Sequence, residues 1–389
     1  MSQILPGGTI GIIGGGQLAR MMALEARRMG YRVVVLDPDS TGPAAQVADA
    51  CIAGAFDDIA AARKLAACSD VVTIDTEHVP ADLLQELEAL TPVRPSANVL
   101  RIVQDRQAQR SFLTEHGIPQ TRHATVSSPS TLREAADLVG FPCVLKTRRS
   151  GYDGRGQARA TQLAELEAAW DFLGQPAAVL ESLVDFELEV SVLLARDLHG
   201  NVRFYPIAEN DHRQHILHTT RVPARVSPEI ESQAQSVGAK IAAALGHVGM
   251  MAIELFVTRD GKLLVNEIAP RTHNSGHYTF GACATSQFEQ HVRAICGLPL
   301  GDPSLLSPAV MLNLLGNLWQ KGPPDWPSAL SHPGAHLHLY GKERAAAGRK
   351  MGHILVLDDD AQSAFAAAEA IAMGLDRGVL VQPEKLSVS

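Results

Sequence analysis

The stretch Thr9-Ile-Gly-Ile-Ile-Gly-Gly-Gly-Gln-Leu-Ala19 decides the fold of the first part of the chain. Its β-branched run, Thr9 to Ile13, is followed by three glycines and then by Gln17 to Met29, where apolar residues recur at helical spacing up to Gly30. Arg32 to Leu36 follows as a second strand-like run. This order predicts a strand–helix–strand unit with a glycine turn at the helix N-terminus.

A second cycle of the same kind follows. Asp58 to Ala67 has helical spacing, Val71 to Ile74 is a short apolar strand, and Pro80 to Leu90 is again helical. Alternating strands and helices are typical of a parallel sheet with helices on both faces. We therefore expect an α/β, Rossmann-like domain over residues 1–104.

From Asp105 the pattern changes to α+β, with antiparallel strands expected over residues 105–300. Helices are predicted from Asp105 to Glu115 and from Ala164 to Phe172. Arg259-Asp-Gly-Lys262 has the composition of a hairpin turn. The strand-like runs are Cys143 to Lys146, Ala178 to Glu181, Glu187 to Ala195, Val202 to Ala208, Met251 to Thr258 and Lys262 to Ile268.

The last part of the chain begins with a proline-rich segment. Seven prolines between Pro299 and Pro333 predict an irregular connection. The strand-like runs Ala335 to Tyr340 and His353 to Leu357 then predict a small β-rich unit within residues 301–389. A chain of 389 residues is expected to divide into two or three domains.

Composition and charge exclude several classes of protein. The apolar fraction of 46% and charged fraction of 20% are ordinary for a soluble globular protein, and the net charge of −8 argues against broad binding to nucleic acid or membranes. The five cysteines are far apart and form no CxxC pair, which predicts a reducing compartment. The apolar stretch Ile4 to Ala19 is broken by glycines and lacks a basic leader. We expect a cytoplasmic protein whose partners are small molecules.

The first glycine loop has two interpretations. Gly14 to Ala19 satisfies the G-x-G-x-x-A pattern, and Asp37 ends the next strand about where a ribose-binding acid would lie. Glycines at a helix N-terminus let an anion approach unpaired N–H groups. The loop therefore predicts a phosphate site without specifying NAD, and a tight turn without a ligand is the alternative.

A second glycine loop suggests a nucleotide site. Lys146 ends an apolar strand, and Gly151-Tyr-Asp-Gly-Arg-Gly156 follows without the G-K-[ST] of a Walker loop. Such a loop can close over a triphosphate with backbone donors while the lysine adds a point charge. The alternative is a solvated hairpin tip.

Two acids and a polar turn complete the candidate site. Glu254 and Glu267 lie within neighbouring apolar strands, where carboxylates are costly unless they are paired or bound to a metal. Oxygen ligands without cysteine predict Mg²⁺, and a salt-bridged pair is the alternative. Arg271-Thr-His-Asn-Ser-Gly-His277 suits a polar, anionic substrate. The spacing of His212, His215 and His218 matches no zinc motif.

Together these motifs resemble those of the 5-(carboxyamino)imidazole ribonucleotide synthetases, a family of the ATP-grasp superfamily. The resemblance covers nearly the whole chain. It rests on the following residues: Gly14-Gly-Gly-Gln-Leu18, Thr76-Glu-His78, Lys146, Gly151-Tyr-Asp-Gly-Arg-Gly-Gln157, Glu181-Ser-Leu-Val184, Asn266-Glu-Ile-Ala-Pro-Arg271, Arg271-Thr-His-Asn-Ser-Gly-His277 and Gly348-Arg-Lys-Met-Gly-His353.

The resemblance implies a fold and a reaction. The fold would be an ATP-grasp fold whose residues 124–185 form a mobile subdomain that clamps ATP, in a homodimer. The reaction would join bicarbonate to 5-aminoimidazole ribonucleotide with cleavage of ATP to ADP and phosphate, through carboxyphosphate, in purine biosynthesis. Because carboxyphosphate hydrolyses easily, a closing loop that excludes water is a chemical requirement.

The resemblance also implies roles for particular residues. ATP would be contacted by Arg106, Lys146, Gly151, Tyr152, Asp153, Gly154, Arg155, Gly156, Gln157, Glu181, Ser182, Leu183, Val184, Glu189, His212, Asn266 and Glu267. Mg²⁺ would be held by Glu254 and Glu267. The ribonucleotide would be contacted by Gly16, Gln17, Glu77, Tyr152, Arg155, Arg271, His273, Asn274, Ser275, Lys342 and Arg349. Asp153, Arg271 and Lys342 would be catalytic, and Asp153 could position or deprotonate the substrate amine or only cap its own loop.

Other functions remain open on the sequence. Other ATP-grasp ligases share the ATP half of the site. An NAD-dependent oxidoreductase would leave Lys146 and the two acids without roles, and a non-catalytic nucleotide-binding module would not need both acids. The sequence leaves open the oligomeric state, the bicarbonate ligands, the number of Mg²⁺ ions and whether carboxyphosphate reacts directly or through CO₂.

Overall fold

The computed structural model describes residues 3–149, 156–320 and 322–375. The loop residues Gly151, Tyr152, Asp153, Gly154 and Arg155, predicted to contact ATP or the ribonucleotide, lie outside the described residues. In the described part of the chain, no helix combines the length and the apolar character needed to cross a membrane.

The N-terminal region is a parallel sheet with helices on both faces, as predicted. Its strands run in the order β3-β2-β1-β4. On β1, Ile10 and Ile12 pack with helix α1 on one face, whereas Ile13 packs with α2 and α3 on the other. The elements are β1 (Thr9–Ile13), α1 (Gln17–Arg28), β2 (Arg32–Asp37), β3 (Ala50–Ala53), α2 (Ile59–Ala67), β4 (Val71–Ile74), α3 (Ala81–Glu88) and α4 (Ala97–Val103). Strand β3 and helix α4 were not predicted from the sequence.

A small antiparallel sheet covered by two helices follows. Its strands run in the order β5-β8-β6-β7, and its apolar core includes Leu132, Leu145 and Trp170. Helix α5 (Arg106–Glu115) precedes this unit and packs into the core of the next sheet. The elements of the unit are β5 (His123–Val126), α6 (Pro129–Val139), β6 (Cys143–Thr147), β7 (Gln157–Ala160), α7 (Leu163–Phe172) and β8 (Ala178–Ser182).

The rest of the described chain forms a nine-stranded antiparallel sheet. The strand order is β14-β13-β9-β11-β12-β15-β17-β16, with β10 paired to β9. Its strands are β9 (Phe186–Arg196), β10 (Val202–Phe204), β11 (Ala208–Arg213), β12 (Ile216–Val222), β13 (Gly249–Thr258), β14 (Leu263–Ala269), β15 (Ala309–Leu315), β16 (Ala335–Leu339) and β17 (Lys350–Leu357). Its helices are α8 (Pro228–Ala244), α9 (Thr279–Ala282), α10 (Gln287–Ile295), α11 (Trp326–Ala329) and α12 (Ala361–Leu375), with 3-10 turns at Asn274–Gly276 and Gly316–Trp319.

Two expectations about this sheet are wrong. Val202 to Ala208 is not one strand, because Pro206 has no N–H to donate to a neighbouring strand. The proline-rich segment is not irregular throughout, since β15 lies in it and pairs with both β12 and β17. The C-terminal strands therefore extend the central sheet. The hairpin turn predicted at Arg259 to Lys262 is confirmed by the pairing of β13 with β14.

Candidate active site

Two clefts share part of their lining. The larger, of about 670 Å³, is lined by residues from both antiparallel sheets, and the smaller, of about 340 Å³, lies at the first glycine loop. They share Thr76, Arg271, His273 and Lys350. A molecule in one cleft would therefore meet a molecule in the other across these four side chains.

Most predicted contact residues line one of the clefts. The larger cleft is lined by the predicted ATP and metal residues Arg106, Lys146, Gln157, Glu181, Ser182, Leu183, Val184, Glu189, His212, Glu254, Asn266 and Glu267, and by Glu77. The smaller cleft is lined by the predicted ribonucleotide residues Gly16, Gln17, Arg271, His273 and Asn274. Gly156, Ser275, Lys342 and Arg349 line neither cleft.

A buried ion-pair chain fixes the predicted phosphate lysine. Lys146 Nζ lies 2.7 Å from Glu181 Oε2, and Arg110 Nε lies 2.9 Å from Glu181 Oε1. Burial alone would raise the pKa of Glu181, but Lys146 and Arg110 outweigh it and hold that pKa far below its usual range. Arg110 also donates to the carbonyls of Val265 and Asn266. These ion pairs and hydrogen bonds therefore join β8 to β14 beside the larger cleft. Arg110 was not predicted from the sequence.

The predicted metal ligands lie opposite each other. Glu254 on β13 pairs in register with Glu267 on β14, and Asn266 Nδ2 lies 3.4 Å from Glu254 Oε2. Burial raises the pKa of Glu254 to about 7, and the charges of Glu267 and Glu189 act in the same direction. Within the described residues, Glu267 Oε2 lies 3.8 Å from the guanidinium of Arg106, and Glu254 Oε1 lies 3.7 Å from Nε2 of the His273 ring.

This acidic pair fits Mg²⁺ better than a salt bridge. A buried carboxylate that shares its site with a second carboxylate is stabilised by a divalent cation, and Mg²⁺ commonly takes one or two carboxylates. Among the described residues, no three His, Cys, Asp or Glu side chains converge as a preformed metal site. Phosphate oxygens and water would complete the coordination of such an ion.

The predicted ribose acid is paired with a histidine. His212 Nδ1 lies 2.6 Å from Glu189 Oε2. Burial alone would lower the pKa of His212, but the hydrogen bond to Glu189 and the charge of Glu254 outweigh it and raise that pKa. The pair therefore places a carboxylate acceptor and an imidazole on one wall of the larger cleft.

The backbone donors of the first glycine loop are already used. Gly15 N–H donates to Asp37 Oδ2 at 2.6 Å, and Gly16 N–H donates to Asp75 Oδ2 at 2.7 Å. A Cβ on Gly14 would lie 1.8 Å from Asp75 Oδ1. Because two carboxylates occupy the loop, it does not favour a dinucleotide diphosphate there. Sequence reasoning missed Asp75, which burial holds at a pKa of about 6.

The polar turn after β14 supplies a cation and a neutral ring. Arg271 Nε donates to Glu77 Oε2. Burial alone would raise the pKa of Glu77, but Arg271 outweighs it and lowers that pKa to about 2. Burial, with Arg271 and Lys350 nearby, holds the pKa of His273 well below its usual range. Ser275 N–H donates to His273 Nδ1 at 3.3 Å, so the neutral ring carries its proton on Nε2, which faces Glu254.

The side chain of Asn274 points to a ligand. It lines the smaller cleft with 6% of the residue exposed, and neither its amide oxygen nor its amide nitrogen has a hydrogen-bond partner. Buried amides without partners are rare in folded proteins. A ligand with both donor and acceptor groups would satisfy this side chain.

The C-terminal cations differ from the expectation in one respect. Lys342 donates from Nζ to Gln17 Oε1 at 2.9 Å and to Lys350 O at 2.6 Å, beside the smaller cleft. Arg349 is exposed and donates to Arg344 O. Lys350, which was not among the predicted site residues, lines both clefts. It is the first residue of strand β17. The only sequence feature that could have indicated its role is its position within the motif Gly348 to His353.

Comparisons with known proteins agree with this architecture. Residues 8–104 match the ribonucleotide synthetase preATP-grasp domain, residues 111–288 the ATP-grasp domain, and residues 309–367 the phosphoribosylaminoimidazole carboxylase C-terminal domain. The chain is 46% identical to the N5-carboxyaminoimidazole ribonucleotide synthase of Brucella melitensis, over 91% of this chain and 97% of the relative. It is 44% identical to the Bacillus subtilis enzyme of the same name, over 90% and 92%.

Solved structures extend the similarity to three dimensions. An ADP complex of N5-carboxyaminoimidazole ribonucleotide synthetase has a TM-score of 0.91 and 43% identity, covering 96% of this chain and 98% of that one. The Aspergillus clavatus synthase in complex with ADP and 5-aminoimidazole ribonucleotide has a TM-score of 0.88 and 34% identity, covering 95% and 99%. The resemblance seen in the sequence is confirmed. The chain belongs to the N5-carboxyaminoimidazole ribonucleotide synthase family of ATP-grasp ligases.

Proposed function

We propose that this protein catalyses the ATP-dependent carboxylation of 5-aminoimidazole ribonucleotide by bicarbonate, giving N5-carboxyaminoimidazole ribonucleotide, ADP and phosphate. The observation that carries the proposal is the junction of the two clefts at Thr76, Arg271, His273 and Lys350. ATP would occupy the larger cleft and the ribonucleotide the smaller one. The reacting carbon would then lie at the junction, between two cations.

The larger cleft supplies what phosphoryl transfer needs. Lys146, held by Glu181, would contact the phosphates with Arg106. Glu189 would hold the ribose hydroxyls, and His212, paired with Glu189, would lie near the nucleotide. Residues 182–184 would line the adenine. Glu254 and Glu267 would hold Mg²⁺, which supplies charge neutralisation on the transferring phosphoryl group.

The reaction divides into two displacements. A bicarbonate oxygen attacks the γ-phosphorus of ATP, and ADP leaves, giving carboxyphosphate. The substrate amine then attacks the carboxyl carbon, phosphate leaves, and the amine loses a proton. Arg271 and Lys350 at the junction would stabilise the negative charge that gathers on the carboxyl oxygens in both steps.

The smaller cleft would orient the ribonucleotide. The side-chain amide of Asn274 would form hydrogen bonds with the ligand. Gly16 and Gln17 would contact the ligand from the glycine loop, and Lys342, which donates to Gln17, would contact it from the same side. Glu77 would keep Arg271 aimed at the junction. Asp153, with the rest of its loop, remains our candidate for positioning the amine. We also propose a cytoplasmic homodimer.

The proposal is tested by tracing oxygen from bicarbonate. With [¹⁸O]bicarbonate, ATP and 5-aminoimidazole ribonucleotide, we expect one ¹⁸O atom in each phosphate released, detected by ³¹P NMR, because carboxyphosphate delivers a bicarbonate oxygen to phosphorus. Phosphate with no ¹⁸O, formed together with ADP, would show that water or another acceptor had attacked ATP and would contradict the mechanism.

A further inference from the structure

The turn between β11 and β12 lines the larger cleft and has a strained backbone. Arg213 pairs with Ile216, so Gln214 and His215 form a two-residue hairpin loop. Their φ angles are +50° and +64°, in the left-handed region. Two-residue hairpin loops of this kind favour Asn-Gly or Asp-Gly, because residues other than Gly, Asn and Asp rarely adopt positive φ.

No contact among the described residues accounts for the strain at Gln214 and His215. Apart from glycines, the described residues with positive φ are Gln175, Gln214 and His215. Gln175 follows the end of α7, where its N–H donates to Trp170 O and its side chain to Asp171. In the described part of the chain, the side chains of Gln214 and His215 make no hydrogen bond or ion pair. Strain without a structural partner is typical of ligand-binding positions.

The position of the turn indicates which part of a ligand it meets. Gln214 and His215 both line the larger cleft. Two residues earlier, His212 pairs with Glu189 and lies in the fields of Glu254 and Lys350. On the other side of the turn, Ile216 packs under the loop that leads to Lys350, since a Cβ on Gly348 would lie 3.1 Å from Ile216 Cδ1. The turn therefore faces the end of the cleft that holds the acidic pair and the junction.

We propose that the strained Gln214–His215 turn is a nucleotide-contact element, whose side chains donate hydrogen bonds to the polyphosphate of ATP when the larger cleft is filled. The imidazole N–H of His215 and the amide N–H groups of Gln214 are the donors. This inference rests on the proposed function, because it requires ATP in the larger cleft. It adds two binding residues that the sequence motifs did not indicate.

The test uses the full-length protein and variants that relieve the strain. His215→Gly and the double variant Gln214→Gly with His215→Gly keep the turn geometry. The single variant removes the imidazole donor, and the double variant removes both donors. We expect both variants to raise the Tm of the free protein, because glycine tolerates positive φ. We expect the Kd for Mg-ATP, measured by calorimetry, to rise about tenfold, the loss of one charge-assisted hydrogen bond, with the Kd for adenosine unchanged.

Gln175→Gly is the matched control, because it places glycine at another positive-φ residue, one that follows α7 and does not line the larger cleft. We expect it to leave the Kd for Mg-ATP unchanged. Wild-type protein that binds Mg-ATP, with turn variants that bind it equally well, would overturn the inference alone. Equal losses for Mg-ATP and adenosine would also overturn it, since the contact would then be to the nucleoside. Wild-type protein that binds no ATP would overturn the proposed function as well.

Discussion

Glu254 and Glu267 lie opposite each other in register on β13 and β14, and the pairing of the two strands shifts directly after Glu254. This irregularity leaves two acids on the wall of one cleft, where burial raises the pKa of Glu254 to about 7. Ionising both carboxylates at this site is unfavourable, and a bound cation would reduce their repulsion. Several consequences can be measured.

Glu254→Gln should separate stability from activity. The pKa of Glu254 rises from 4.5 to about 7 on folding, so the folded state holds the proton more tightly between these pH values and stability falls as pH rises through this window. Glu254→Gln should remove that fall in the Tm of the free protein between about pH 5 and pH 7 and reduce kcat by about a hundredfold.

The control is Glu187→Gln, an exposed glutamate on β9 outside both clefts. It should leave both the pH profile of Tm and kcat as in the wild type. A Glu254→Gln variant with wild-type activity at saturating Mg²⁺ would remove Glu254 from metal binding.

Arg110→Met should be strongly destabilising. It leaves Glu181 buried with Lys146 as its only remaining cation among the pairs described, and it removes two bonds to backbone carbonyls of β14. Breaking a buried charge pair typically costs about 3 kcal/mol or more, measured here as the free energy of unfolding in urea. Arg133→Met is the control, because its pair with Glu167 is exposed and should contribute less than about 1 kcal/mol. Equal effects of the two substitutions would contradict the structural role of Arg110.

Lys350→Met should impair both halves of the reaction. Lys350 lines both clefts, whereas Arg349 is exposed and lines neither. We expect Lys350→Met to lower kcat/KM by about a hundredfold for ATP and for the ribonucleotide, because it removes a cation from the junction. Arg349→Met should affect at most the KM for the ribonucleotide. Steady-state kinetics with each substrate varied will distinguish these outcomes, and a Lys350→Met variant with normal kcat would exclude Lys350 from the junction chemistry.

Asn274→Leu tests the assignment of the smaller cleft. The substitution keeps the side-chain size but removes an amide that has no partner in the protein. The free protein should lose no stability, while the KM for 5-aminoimidazole ribonucleotide should rise about tenfold and the Kd for ATP should stay constant. A rise in the Kd for ATP with no change for the ribonucleotide would reverse the assignment of the two clefts.

Much of the fold followed from local patterns in the sequence. The first glycine turn, the hairpin at Arg259 to Lys262 and the strands that carry Glu254 and Glu267 were all predicted, because hydrophobic periodicity and turn residues are local signals. The strand β15 was missed, since prolines on both sides of it resemble a loop. Its place is fixed by β12 and β17, which are distant in sequence.

The candidate site was predictable where a motif carried it, and unpredictable where tertiary contacts decide the role. Arg110 is one of three charged residues on helix α5, and its burial against Glu181 sets it apart. Asp75 differs from any acid at a strand end only by its bond to Gly16 N–H. The strain at Gln214 and His215 is invisible without backbone angles. The loop at Asp153 lies outside the described residues, so its role stays a prediction.

Carboxylation coupled to ATP cleavage is measured most directly as the ratio of carbon fixed to ATP cleaved, with [¹⁴C]bicarbonate as the substrate. We expect one acid-labile ¹⁴C bound to the ribonucleotide for each ADP released, and no fixed carbon when ATP or 5-aminoimidazole ribonucleotide is omitted. ADP release without incorporation of ¹⁴C into the ribonucleotide, at saturating substrates, would show that this protein does not carboxylate the ribonucleotide.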